Sequence, residues 1–484
     1  MLKALIIGAD ALSPDYIFEH PERYPNLARL IEKGASSAYS AYVQKGYRDS
    51  YISEMNWSSI YTGLPPWEHK ITVECRNGQR WSPSMIKFKN LSPFWEVLNH
   101  HGLTVGMWAA DCCVNPVEID GYVISARYQM LETPTPVRTS GRTLQTCEKD
   151  RYILDWIQGE APPRLYPRTL EQQGYNFEKL RQNPELAWQA IEAYHFQDAL
   201  DNFEQELEFF YHAMCEVQRR QPVDVLYFYT PTTDLIAHCS MYCDDCEVLI
   251  KAYQILDQYV GKWLQELDPK NIIVMSDHGM ANFKDLVACS DENICREAFA
   301  ARDEVLWLPN RYIAFKAKNG ALLFTAHALK GTFIAAGCDI RHTQLKGMRT
   351  LDIYPTILEL LGVKIPGGRD GYVQDIFNRP LVNQEKLFTR FDHPEKSAAV
   401  LQCFSPSITD IVLNELYIRN RFTCFTVVGE EKYREIFLHN PRVSNFITYQ
   451  TFDFSEFDEV YCGVYNETAG LTQHIKVHSR GSGG

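Results

Sequence analysis

From Asn271 to Gly279 the chain reads Asn-Ile-Ile-Val-Met-Ser-Asp-His-Gly, and no other stretch constrains the fold as much. Ile272 to Met275 is an unbroken apolar run of strand length, and three of its four residues are β-branched. With no polar alternation, it predicts a strand covered on both faces, as in a parallel sheet between helical layers. The run ends abruptly. Asp277 and His278 stand side by side where a core strand would have to desolvate both. At the carboxyl end of a strand in an open α/β sheet they are well placed, because ligands bind along that edge. A lone Asp-His-Gly is as well explained by a solvated turn, so partners elsewhere in the chain must decide.

Strands and helices alternate around this run. Leu2 to Gly8 reads as a buried strand leading to Asp10, and Pro25 to Gly34 as a short amphipathic helix closed by glycine. Ser53 to Gly63 passes from polar to apolar, like a loop feeding a helix, before Pro65 and Pro66 break it. Phe94 to His100 reads as helix and Thr104 to Ala109 as strand. Val223 to Tyr229 is another strand, roughly Asp245 to Leu267 a helix, Thr332 to Ala336 a strand, and Asp352 to Gly362 a helix with Asp and Gly at its ends. The expected fold class is therefore α/β, a mostly parallel central sheet with helices on both faces.

Residues 1–114 and 221–383 would form that catalytic core. The segment 115–220 is first rich in Pro, Thr and Arg, then charged and helical in period, and reads as an inserted helical cap. Residues 384–476 turn to short aromatic and β-branched runs such as Phe422 to Val428. They read as a small C-terminal α+β subdomain with antiparallel strands, followed by a flexible tail or cloning remnant at 477–484.

With 484 residues, the chain is long enough for a large core plus appended parts. A formal charge of −13 without a Lys/Arg block gives no footprint for nucleic-acid polymers or an anionic membrane. No apolar window of about 18 residues predicts a spanning helix. The amino terminus is apolar too briefly for a signal peptide. Together with 14 scattered cysteines, this sets an expectation of reduced thiols and a cytoplasmic location.

Candidate ligands cluster near the other strand ends. Asp10 follows the first strand. Asp234 and His238, four apart, would share one face of a helical turn after Tyr229, and His327 precedes the strand near Thr332. Singly, each has an ordinary explanation: a helix cap, a surface pair, a satisfied loop histidine. Three Asp and three His near the ends of strands in one sheet point instead to one edge. Mixed Asp/His ligation suits zinc, with manganese or iron as alternatives, and three protein ligands per ion leave positions open for substrate. Six ligands fit two divalent ions, a set that stabilises the attacking and leaving oxygens of an in-line displacement at phosphorus. Ser53, just before the helix expected near Asn56, is the candidate nucleophile, with Ser58 and Ser59 deeper in that helix.

In this order the motifs resemble the alkaline phosphatase superfamily, and within it the type I phosphodiesterase/nucleotide pyrophosphatase branch. The matching pieces are Ile6 to Asp10, Pro25 to Gly34, Ser53 to Gly63 with Pro66 to His69, Thr233 to His238, Ser276 to Gly279, the His327 segment through Gly337, and Asp352 to Gly362. The resemblance implies that Asp234, His238 and His327 hold one ion. Asp10, Asp277, His278 and the Ser53 oxygen would hold the other. Counting back from Thr62-Gly63 by the family's spacing also lands on Ser53.

The chain departs from the pattern at several points. Met55 stands where the family has proline after its nucleophile, with Ser59 the fallback. His69-Lys70-Ile71 replaces His-Gly-Ile. Glu74 occupies the place of a phosphoryl-contacting asparagine, so Asn77 or Lys70 would take that role. The ligand histidine lies in Thr325-Ala326-His327-Ala328, with His342 its competitor. No formylglycine-forming sequence of the sulfatases is present.

The implied function is a two-metal phosphohydrolase cleaving phosphodiester or pyrophosphate bonds of a small phosphorylated substrate through a phospho-serine. Phosphomonoesterase, phosphonate hydrolase or phosphomutase chemistry on the same site is the alternative. A different class rests on Cys239, Cys243 and Cys246, whose spacing matches the iron–sulfur motif of radical enzymes. Three cysteines on one helical face explain it as well.

Overall fold

The computed structural model describes residues 1–41, 52–71, 74–76, 79–81, 85–88, 90–110, 119–124, 182–183, 196–240, 247–282, 305–307, 313–316, 322–323, 325–328, 330–345, 347–388, 397–402, 409, 412–413, 416, 425–438, 443–466 and 471–479. Eight strands form the central sheet: β1 (Ala4–Ala9), β2 (Ala35–Ser40), β3 (Val105–Trp108), β4 (Gly121–Ile124), β5 (Val225–Thr230), β6 (Asn271–Met275), β7 (Lys330–Gly337) and β8 (Thr343–Gln344). Their order is β8-β2-β7-β6-β1-β5-β3-β4. Every pairing is parallel except those of β7, which runs against both β6 and β2.

Alternate residues of the central strands feed two cores, which explains why these runs show no polar alternation. Leu5, Ile7, Leu226, Phe228, Ile272 and Val274 face one core. Ala4, Ile6, Val225, Tyr227, Ile273 and Met275 face the other. Helices α1 (Pro14–Glu19) and α2 (Pro25–Lys33) contribute to the first core, with α6 (Phe196–Arg220), α7 (Thr232–Ser240) and α8 (Glu247–Leu267). The second is covered by α3 (Ile52–Thr62), α5 (Phe94–His100) and α9 (Thr350–Leu360), with the short α4 (Pro66–His69) beside α3. This is the mostly parallel sheet with two helical layers that the sequence predicts.

Two pieces of the 115–220 segment belong to these layers. Gly121–Ile124 is the edge strand β4, and α6 presents Phe203, Leu207, Phe210, Met214 and Val217 to the first core at helical spacing. Residues 125–181 and 184–195 lie outside the described residues. Among the described residues, no helix is long and apolar enough to cross a membrane.

The C-terminal region forms a separate five-stranded sheet from Ala398–Leu401, Phe425–Gly429, Val443–Thr448, Glu459–Asn466 and Leu471–Ser479. Its strands were expected to be antiparallel, but three of its four pairings are parallel, and only the last two strands pair antiparallel. Strand composition does not encode direction; the connections do, because a parallel pair needs a crossover. Two smaller corrections concern single residues. Asp352 is not the N-cap of α9 but sits inside its first turn, reaching back to the backbone of Arg349. Cys462 is disulfide-bonded, against the expectation of reduced thiols throughout.

Candidate metal centre

Asp10 is the first residue beyond β1, and its N–H still bonds to Thr230 O at 3.0 Å, extending the ladder toward β5. The backbone turns immediately after it, at Ala11, with φ 55°. Asp10 is buried, and its two carboxylate oxygens face different groups. Oδ2 accepts from Tyr229 OH at 2.6 Å and from Trp57 Nε1 at 3.2 Å. Oδ1 lies 3.3 Å from His278 Nε2 and 3.4 Å from Ser53 Oγ. Thr233 Oγ1 donates to the Asp10 carbonyl at 2.5 Å, which joins α7 to this turn.

Asp277 and His278 leave the adjacent strand β6 at the same edge, both fully buried. The preceding Ser276 is a brace. Its Oγ donates to Leu12 O at 3.0 Å and accepts from Thr332 N–H at 2.8 Å, while Tyr39 OH donates to its carbonyl. His278 Nδ1 lies 2.9 Å from Gly279 O. A ring proton there leaves Nε2 to face the cluster. Nε2 lies 3.0 Å from Ser53 Oγ and 3.2 Å from Asp277 Oδ2.

Ser53 is in the first turn of α3, where backbone N–H groups have no acceptor within the helix. Asp234 is in the first turn of α7, and His327 is on the short strand Thr325–Ala328, which pairs antiparallel with Gly279–Asn282. His327 Nε2 lies 3.5 Å from Asp234 Oδ1, and the His278 and His327 ring centroids are 3.9 Å apart with their planes tilted by 30°. The ligand-type atoms form two groups that share one residue: Asp10, Asp277 and His278, and Asp234, His278 and His327.

These residues fit divalent metal. A tetrahedral ion with bonds of about 2.1 Å sets its ligand atoms about 3.4 Å apart. Asp10 Oδ1, Asp277 Oδ2, His278 Nε2 and Ser53 Oγ are separated by 3.0, 3.2, 3.3 and 3.4 Å along their close contacts. The electrostatics agree. Burial pushes the Asp277 carboxyl well above the usual carboxylate range, and the carboxylates of Asp10 and Asp234 push it further. Such a concentration of acceptors is relieved either by a proton held on Asp277 or by a cation between the carboxylates.

The other sequence candidates are placed less centrally. His238 falls one turn beyond Asp234 in α7, and its side chain lies outside the description. Lys70 is exposed, in a left-handed conformation with φ 53° after α4. Glu74 starts a short strand, its side chain not described, and Asn77 lies outside the described residues. His342 is exposed. Cys239 is in the last turn of α7, and Cys243 and Cys246 lie outside the described residues.

Ser59 is fully buried and bonded to a different histidine. His69 Nδ1 accepts the Ile71 N–H at 2.9 Å, so its proton is on Nε2, 3.2 Å from Ser59 Oγ. Burial pushes the His69 pKa down to about 3, so the ring is neutral and cannot take a proton from Ser59. Sequence reasoning did not assign roles to Tyr229, Trp57 or Thr233, all of which hold Asp10. The available signal was positional, since Tyr229 stands opposite Gly8 in the β1–β5 register and Trp57 one helical turn beyond Ser53.

Residues 4–330 match the model of the family described as type I phosphodiesterase / nucleotide pyrophosphatase. No curated protein matches this sequence. Among solved structures, the chain is similar to murine ectonucleotide pyrophosphatase/phosphodiesterase 5, in an inactive form in complex with AMP. Identity is 14% with a TM-score of 0.42, covering 76% of this chain and 98% of that one. Human ectonucleotide pyrophosphatase/phosphodiesterase 5 is similar at 16% identity and TM-score 0.39, covering 76% and 97%. A substituted form of the alkaline phosphatase PafA is similar at 12% identity and TM-score 0.44, again covering 76% and 97%.

Proposed function

The chain belongs to the type I phosphodiesterase/nucleotide pyrophosphatase family of the alkaline phosphatase superfamily, and on that premise we propose that it cleaves phosphodiester or pyrophosphate bonds of small nucleotide-like substrates through a phospho-serine at Ser53. Family membership makes it a phosphoester hydrolase. The finer reading is carried by one observation, the approach of Ser53 Oγ to both Asp10 Oδ1 and His278 Nε2 at the carboxyl edge of the sheet.

In this reading Asp10, Asp277 and His278 hold one divalent ion with the Ser53 oxygen, and Asp234, His327 and His238 hold a second, zinc best matching the mixed carboxylate and imidazole donors. When bound, the two ions supply the positive charge that activates the serine hydroxyl and offsets charge on the phosphoryl oxygens. The chain's own residues do the positioning. Helix α3 aims Ser53 Oγ at phosphorus and offers its amino-terminal N–H groups to an anion. The Gly279 carbonyl fixes the ring of His278. Ser53 attacks in line, the phosphorus–oxygen bond to the leaving group breaks, and water cleaves the phospho-serine to regenerate the hydroxyl.

The test is Ser53→Ala against a panel of bis-p-nitrophenyl phosphate, p-nitrophenyl phosphate, dinucleotides and phosphonates, with zinc or manganese added. The expected outcome is a fall in turnover of at least about a thousandfold with most bound metal retained. Wild-type turnover in the variant would remove Ser53 from the reaction. A wide preference of the unaltered protein for the monoester would overturn the diesterase assignment.

A further inference from the structure

We infer that Tyr229 and Trp57 form a two-donor clamp that decides which oxygen of Asp10 is presented to the metal centre and, through α3, where Ser53 stands. The inference rests on the two-metal reading above. Both donors converge on Oδ2, the phenol at 2.6 Å and the indole at 3.2 Å, whereas Oδ1 is turned toward His278 Nε2 and Ser53 Oγ. An oxygen that accepts two such bonds is held in place and is a weaker electron donor than its twin. The carboxylate therefore offers Oδ1 alone.

The clamp is built from three elements meeting at one point. Tyr229 lies in β5 directly beside β1, in register with Gly8. Trp57 and Ser53 are four residues apart in α3, hence on one face of the helix. The two oxygens of Asp10 are thus each engaged from the same helix one turn apart, Oδ1 by Ser53 and Oδ2 by Trp57. Asp10 works as a gauge for the height of α3 above the sheet, and Trp57 and Tyr229 are positioning residues for it.

The indole reaches this place because residue 8 has no side chain. A Cβ at Gly8 would meet Trp57 Cη2 at 2.7 Å and Tyr227 OH at 2.8 Å. The two clamp rings brace each other edge to face, with centroids 5.2 Å apart. Both are buried, so no water competes for Oδ2 on this side.

The test is metal affinity rather than activity alone. Metal-depleted wild type, Tyr229→Phe, Trp57→Phe and the double variant would be titrated with Zn²⁺ against a chromophoric chelator, with the thermal midpoint of each metal-free protein measured alongside. Each single substitution is expected to weaken one of the two Zn²⁺ sites about 10- to 100-fold, the usual effect of removing a ligand's hydrogen-bond partner, and to leave the other within about twofold. Trp57→Phe should also lower kcat more than Tyr229→Phe does, because it alone loosens α3. Unchanged affinities at both sites, or equal losses at both that track a lower metal-free midpoint, would reduce the pair to ordinary core packing and overturn the clamp. A wild type that takes up no Zn²⁺ would overturn the metal centre, and the clamp with it.

Discussion

Two sets of buried carboxylates lie at different places in this protein, and they are treated in opposite ways. Around α9, Asp352 meets the Arg349 guanidinium at 2.9 Å and the backbone N–H groups of Arg349 at 3.0 Å and Tyr372 at 2.9 Å. Glu359 accepts from Arg379 at 3.0 Å, Val382 N–H at 3.0 Å, Asn383 N–H at 2.9 Å and Asn383 Nδ2 at 2.8 Å. At the sheet edge, Asp277 has two backbone N–H groups, its own and that of Ala11 at 3.4 Å, and sits against the like charge of Asp10. All three side chains are fully buried, so burial does not separate them. The difference lies in the number of donors. A carboxylate saturated by donors is scaffold, and on the two-metal reading one set among other acceptors would be a place for a cation.

Substitutions should separate the two sets. The largest effect on stability is expected at the saturated one. Glu359→Ala would leave three amide donors without their acceptor and Arg379 with only the carbonyls of Glu359 and Pro380, and urea unfolding should show a loss of about 3–5 kcal/mol. A loss below about 1 kcal/mol would mean that saturation counts for little here.

At the sheet edge the sign should reverse. Because the Asp277 pKa is raised in the fold, the native state holds its proton above the unfolded value near 3.8, and metal-free protein loses stability as pH rises through that window. Asp277→Asn is then expected to raise the metal-free midpoint at neutral pH by the equivalent of about 1–3 kcal/mol and to abolish the further rise on adding Zn²⁺. A lowered metal-free midpoint would show that Asp277 is scaffold after all.

The smallest effect belongs to His69, a buried neutral group in neither set. Its pKa is depressed to about 3, so below about 6.5 the unfolded chain takes up a proton that the native state refuses. Stability should fall as pH drops through that range, by about 1.4 kcal/mol at pH 5.5, and be flat above it. His69→Gln should flatten the slope, as read from midpoints between pH 5 and 8.

Much of this contrast is invisible in the sequence. The strand from Ile272 to Met275 is legible because a two-sided core tolerates no polar alternation, and Asp277 and His278 stand out because two ionisable residues end so apolar a run. The ends of α2 are legible from Pro25 and Gly34. Asp352 and Asp277, by contrast, look alike as letters, since the donors that saturate one come from a turn near Tyr372 and the charges that crowd the other come from Asp10 and Asp234. The direction of the C-terminal strands is hidden for a related reason, because it depends on how the connections cross. The placement of α6 was legible in its apolar spacing, yet its charged outer face reads as readily as part of a cap.

The spread of the ligands along the chain also governs when the site can exist. Asp10 and Ser53 belong to the first elements made, whereas Asp277, His278 and His327 arrive only after β5 and β6, the two neighbours of β1. On a ribosome, at about 5–20 residues per second, the interval from Asp10 to His327 is on the order of 15–60 s. For most of that time β1 lacks β6, its neighbour on one side, and an unpaired apolar strand is open to chaperones and to misassembly. On the two-metal reading, metal uptake would therefore be a late event, open only to a chain that has already made β6.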